Sequence, residues 1–159
     1  MNRSQILKSA KGVLHIESKA INDLAKSLDD NFLKAVETIK NLKGKLIISG
    51  VGKSGNIAAK IAASFTSTGI PSVFLNPVDA SHGDMGIVRV EDILIVLSNS
   101  GESHELSDLL DFAKKQSIKI ISICSYLYVG ELRAIKFGET VNKNYNDNDV
   151  LEILSPGTI

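Results

Sequence analysis

The chain has no tryptophan, a single cysteine, three prolines and few aromatics, and its charge is balanced. Each shortage excludes something. With aromatics at 5% of the residues, the stacking surfaces used by single-strand nucleic-acid binders are missing. Eighteen basic residues against eighteen acidic ones leave no net charge, so no nucleic-acid or membrane partner is expected. Cys124 alone allows neither an intrachain disulfide nor a cysteine zinc cluster, which suits a reducing cytoplasm. No apolar run approaches the ~18 residues of a membrane span. The N-terminal Met-Asn-Arg-Ser leads into amphipathic sequence rather than the apolar core of a signal peptide. The expectation is one soluble cytoplasmic domain, with 159 residues enough to bury a real core.

What the chain does have is a strand, a glycine turn and a helix in direct succession. Leu46-Ile47-Ile48 reads as a short strand buried on both faces, as in a parallel sheet. Ser49-Gly50-Val51-Gly52-Lys53-Ser54-Gly55 follows as a turn, and a helix is predicted from there to about residue 68. Glycines let the backbone turn sharply and approach a ligand closely. The helix then points its free N–H groups and positive dipole end at that ligand, which favours an anion. This is a phosphate-binding expectation. A Walker A loop would need glycine where Ile47 stands, so Gly-Lys-Ser here is not a nucleotide P-loop. Gly50-x-Gly52-x-x-Gly55 fits the dinucleotide fingerprint, but the acid that should close the second strand is missing, and Asp79 comes late, within a loop. A tight turn without ligand also remains open.

Before this stretch, Ile6, Ala10, Val13, Leu14, Ala20, Ile21, Leu24 and Leu28 recur near helical spacing over residues 4–28. A helix that long outruns what so small a domain covers, so partner packing is plausible; His15 within it reads as structural. Asp29-Asp30-Asn31 supplies caps for a second helix, ending before Gly44. After it come predicted strands at 72–75, 92–97 and 118–123, with a helix over about 104–116. Polar loops at 76–84 and 98–103 separate them. Strand and helix in alternation argue βαβ units and a parallel sheet. A short helix is predicted over about 130–137, and a loop or frayed tail from Asn142 onward. The domain plan is therefore N-terminal helices over 1–44, an α/β core over 45–141, and a degenerate tail over 142–159.

In an open parallel sheet the ligand lies beyond the carboxyl ends of the strands. The turns 49–55, 76–84 and 98–103 meet there, and the third, Ser98-Asn99-Ser100-Gly101-Glu102-Ser103, gathers hydroxyls and N–H groups at a second helix start. Those serines can also serve merely as caps. His82 and His104 stand apart without metal-ligand spacing, so neither metal nor cofactor is expected.

Gly-Val-Gly-Lys-Ser-Gly (50–55), Ser-Thr-Gly-Ile-Pro (67–71), Ala-Ser-His-Gly-Asp-Met-Gly (80–86) and Ser-Asn-Ser-Gly-Glu-Ser (98–103) stand in the order and spacing of sugar isomerase (SIS) domains. Over about residues 5–123 the chain resembles the arabinose-5-phosphate isomerases of that superfamily, which supply the first intermediate for 3-deoxy-manno-octulosonate, a lipopolysaccharide precursor. The resemblance implies a flavodoxin-like α/β fold, a parallel sheet with helices on both faces, and a homo-oligomer, dimer or tetramer. It also implies interconversion of ribulose 5-phosphate and arabinose 5-phosphate, with Lys53 and Glu105 associated with catalysis and His82 in contact with substrate; the chemistry of the step makes His82 a third catalytic candidate. The expected substrate and phosphate contacts are Gly50, Gly52, Ser54, Gly69, Ile70, His82, Ser98, Asn99, Ser100 and Ser103. Moving a carbonyl from C1 to C2 runs through an enediol. Glu105 or Glu102 can be its base, Lys53 can stabilise the oxyanion, and His82 can move hydroxyl protons or open the sugar ring.

The sequence departs from the family at Asn76, where family members have a metal-associated histidine. Residues 142–159 do not align onto the family's fifth strand and closing helix, and Glu152 and Ser155-Pro156-Gly157-Thr158 only echo them. The paired CBS regulatory domains of many members do not appear. The expectation is a truncated domain that binds sugar phosphate better than it turns it over, with a non-catalytic sugar-phosphate-sensing module as the alternative.

Overall fold

The computed structural model describes residues 2–101, 103–124 and the backbone of 150–154. Helix α1 (Arg3–Ser27) opens on a capping box: the Gln5 N–H donates to Asn2 Oδ1 and the Asn2 N–H to Gln5 Oε1, both at 2.9 Å. Helix α2 (Asp30–Lys40) starts on Asp29, whose carboxylate accepts from the N–H groups of Asn31 and Phe32. Then follow β1 (Leu46–Gly50), α3 (Gly52–Ser67), β2 (Ser72–Phe74), α4 (Pro77–Ser81) and a 3-10 turn at Asp84–Ile87. The series continues through β3 (Ile93–Ser98), a 3-10 turn at His104–Leu106, α5 (Ser107–Lys115), β4 (Lys119–Cys124) and β5 (Val150–Leu154). Residues 76–84 are thus not a simple loop: Pro77 at the first position starts a short helix that Asn76 caps.

The sheet is parallel throughout, in the order β2-β1-β3-β4-β5. β1 and β3 sit inside it and every residue of both is buried, the composition expected of strands covered on two faces. Ile47, Leu94, Val96 and Ile120 pack on one face against Ala80 of α4 and Leu109, Leu110 and Ala113 of α5. On the other face Leu46, Ile48, Ile95 and Ile121 pack against Ala35 of α2 and Ala58 and Ala62 of α3. This is the flavodoxin-like arrangement, and the chain order reverses between β1 and β3.

β5 corrects one expectation. Residues 150–154 are not a frayed tail but a fifth strand, in register with β4 from Ile120↔Val150 to Cys124↔Leu154. A five-residue run carrying Glu152 is too short to announce itself. The outer edge of β4, with its row of unpaired N–H and C=O groups, is what recruits it. The helix expected at 130–137 and the polar stretch 142–149 lie outside the described residues.

At the amino end of the sheet, Asp92 is buried and clamps β1 to β3. Its carboxylate accepts from the Lys45 N–H at 2.9 Å, the Lys45 ammonium at 2.6 Å and the Arg89 N–H at 2.8 Å. Gly44 must lack a side chain here, because a Cβ would run into that carboxylate and the Glu91 carbonyl.

Candidate functional site

The first turn is shaped by backbone packing against backbone. A Cβ on Gly55 would stand 2.7 Å from the Gly50 carbonyl oxygen, and one on Gly50 would stand 3.0 Å from the Ser54 carbonyl and 3.1 Å from that of Leu97. Gly52 adopts φ +58°, the left-handed region that glycine tolerates best. The helix begins directly at Gly52, which places Lys53 and Ser54 in its first turn rather than in a loop. Among the described residues no side chain caps this end, and no acid stands in the first turn. Its leading N–H groups have no intrahelical partners by construction. Lys53, exposed in that same turn, is a cation at the positive end of a dipole. That placement does nothing for the helix and suits an anion.

The third turn leaves β3 next door, since Gly50 pairs in register with Leu97. The buried Ser98 hydroxyl lies 2.9 Å from that of Ser103 and accepts from the Gly101 N–H at 3.1 Å. Ser98 and Ser103 therefore fold the loop onto itself, and Asn99 and Ser100 form its exposed rim. Glu105 is exposed within the 3-10 turn, which is anchored by the buried Leu106. Glu102 lies outside the described residues.

The second turn is held by Ser49. Sequence reading puts this residue in the turn, but it is the buried penultimate residue of β1, and its hydroxyl donates to the Leu75 carbonyl at 2.7 Å. A serine directly following the run Leu46-Ile47-Ile48 is the signal that could have found it. Asn76, next along, accepts from the Val78 N–H at 3.0 Å. His82 closes α4 as an exposed C-cap residue, with its N–H donating to the Asp79 carbonyl. Helix α4 packs against α5 and the 104–106 turn, so the segments carrying His82 and Glu105 are neighbours.

Gly69 and Ile70 do not join this crevice. They follow the far end of α3, whose sixteen residues span about 24 Å at 1.5 Å per residue. The Ile70 N–H donates to the Phe65 carbonyl, the Pro71 carbonyl accepts from Leu46 at the start of β1, and Ile70 packs against the core. Expecting them beside Lys53 is therefore wrong for a single chain: a parallel βαβ unit returns its crossover helix to the amino end of the sheet. The crevice joins Gly50, Gly52, Lys53 and Ser54 to the 98–103 turn across the β1/β3 switch point, with His82 and Glu105 on adjoining segments.

A dinucleotide does not suit this crevice, because β2 ends at Phe74 without an acid and Asp79 lies inside α4. The family model of the SIS domain matches residues 39–127, more than half of the chain. The chain belongs to the SIS domain family. This SIS domain is 43% identical over 117 residues to arabinose 5-phosphate isomerase KdsD of Yersinia pestis, covering 74% of the chain and 36% of that protein. Against the KdsD of Pseudomonas aeruginosa it is 41% identical over 126 residues, 77% of the chain and 39% of the relative. It thus spans little more than a third of these curated relatives. The solved structure of Escherichia coli CFT073 c3406 in complex with arabinose 5-phosphate matches 99% of the chain and 76% of its own length, with a TM-score of 0.83 at 34% identity. A phosphoheptose isomerase from Francisella tularensis, at 19% identity and TM-score 0.68 over 96% of this chain and 87% of its own, shares the fold.

Proposed function

We propose that this SIS domain binds a five-carbon sugar phosphate and interconverts arabinose 5-phosphate and ribulose 5-phosphate as part of a homo-oligomer. The observation that carries the reading is the uncapped start of α3, with its glycine turn and Lys53, facing the 98–103 turn across the switch point. The relatives' arabinose 5-phosphate chemistry supports the choice of sugar.

In this reading the phosphate rests on the N–H groups after Gly50 and on the rim formed by Asn99 and Ser100. Glu105 takes the proton from C2 of the open-chain aldose, and the electron pair moves through C1–C2 onto the carbonyl oxygen. Lys53 stabilises that oxygen as an enediolate. His82 carries the proton between the O1 and O2 hydroxyls, and Glu105 returns the carbon-bound proton at C1 to give the ketose. Each group supplies a separate part of the barrier lowering, with acid–base assistance worth about 10²–10⁴ in rate.

The test is a coupled assay on ribulose 5-phosphate beside calorimetric titration with arabinose 5-phosphate on one preparation. Binding together with slow turnover, weaker than the binding would suggest, is the expected result. Binding without turnover assigns the chain to the non-catalytic sensing class instead. Binding of NAD and of no sugar phosphate overturns both.

A further inference from the structure

Asn76 directly follows Leu75, whose N–H and carbonyl are both held by β1, so its place is set by the sheet. The β1–β2 register, Ile48↔Phe74, carried on by two residues, brings Asn76 level with Gly50, one strand spacing of about 4.8 Å away. Its backbone carbonyl accepts from the Ala80 N–H at 2.9 Å, and its Oδ1 accepts from the Val78 N–H at 3.0 Å. The second bond also settles which way round the carboxamide lies, because the reverse orientation would set one N–H group against another. Both acceptors of the residue are therefore engaged by α4. Asn76 is exposed, and among the described residues none accepts from its Nδ2 amide. On the β2 side of Gly50 the crevice thus has a neutral group with donors left to give and no acceptor.

We propose that the Asn76 amide donates to a hydroxyl oxygen on the non-reacting carbons of the sugar, C3 or C4, so that the crevice recognises the sugar as well as the phosphate. The inference rests on the functional reading above. Polarity supplies the class of contact, since a donor without acceptors meets an oxygen lone pair. Position selects the oxygen. In that reading the phosphate lies at the start of α3 and faces the 98–103 turn across the β1/β3 switch point, whereas Asn76 lies on the opposite flank of β1. His82 is at the other end of α4, whose five residues span about 7.5 Å. With His82 serving O1 and O2, that span less a hydrogen bond of about 3 Å at each end leaves room for one or two carbon–carbon bonds. C3 and C4 are the carbons within that reach. Neither changes its bonding as the enediol forms, so the contact contributes binding rather than rate.

Asn76→Ser and Asn76→Asp test the contact, because both keep an oxygen that caps α4 and both remove the amide. Each should melt close to the parental temperature. In titration calorimetry Asn76→Ser should bind arabinose 5-phosphate about 3–10-fold more weakly, the scale of one neutral hydrogen bond. Its affinity for inorganic phosphate should stay parental. Asn76→Asp should lose more of the sugar phosphate affinity, since a carboxylate then faces the sugar oxygen. In the coupled assay the loss should fall on KM rather than on kcat. Parental affinity of Asn76→Ser for arabinose 5-phosphate overturns the contact. An equal loss for inorganic phosphate overturns the hydroxyl assignment, and an affinity loss matched by a lower melting temperature in both variants reduces Asn76 to a cap and overturns it too. A parent chain that binds no sugar phosphate overturns the functional reading itself, an outcome seen before any variant is compared.

Discussion

The Ser49 hydroxyl donates to the Leu75 carbonyl at 2.7 Å, joining the buried penultimate residue of β1 to the first residue beyond β2. Leu75 also gives its N–H to the Ile48 carbonyl, so both its polar groups are held by β1. Asn76 and α4 depart from this fixed point, and His82 lies at the far end of α4. Removing the donor leaves a buried acceptor without its partner. Ser49→Ala should lower the free energy of unfolding by about 1–3 kcal/mol, and Ser49→Thr should recover most of it. Urea titration measures both. Equal stability of the Ala variant and the parent would show that the bond holds nothing.

Asp92 tests the opposite end of the sheet. Its carboxylate serves two backbone N–H groups and the Lys45 ammonium, and that ammonium also donates to the Ile87 carbonyl. Removing the carboxylate strands the backbone N–H groups of Lys45 and Arg89, while the part-exposed Lys45 ammonium can turn to water, so Asp92→Ala should cost about 1–3 kcal/mol. Asp92→Asn keeps one acceptor oxygen and should cost less. Denaturant midpoints order the three proteins, and a loss under ~1 kcal/mol for the alanine variant would contradict the clamp.

Lys53 carries the ligand side. Its ammonium has no helix-stabilising task at the positive end of α3, so Lys53→Ala should leave stability close to the parental value. Affinity for arabinose 5-phosphate should fall by about 1–3 kcal/mol, the scale of a charged hydrogen bond. Ser100→Ala should cost less, and the difference between the parent and Lys53→Ala should shrink in high salt. Titration calorimetry at two ionic strengths decides it. Unchanged affinity in both variants would place the crevice elsewhere.

Much of this was legible in the residues because it is local. Leu46-Ile47-Ile48 and Ile93 to Leu97 are strands because an unbroken apolar run suits a doubly covered position in a parallel sheet. Gly50 and Gly55 announce a turn where a Cβ would meet backbone, Gly52 one whose φ of +58° favours glycine, and Asn2 and Asp29 announce the helix starts they cap. The four motifs in register were enough to imply the family that the comparison found.

What only the tertiary structure decided depends on partners far along the chain. Residues 150–154 become a strand because β4 leaves an edge in register with them, a fact absent from five residues read alone. Ser49 looks like a turn serine until the Leu75 carbonyl, twenty-six positions on, arrives beside it. Gly69 and Ile70 follow Lys53 closely in the order of motifs, yet α3 carries them to the other end of the sheet. Sequence spacing fixes how far the chain has travelled. Strand order and crossover direction fix where it has arrived, and these follow from which edges and faces remain to be covered.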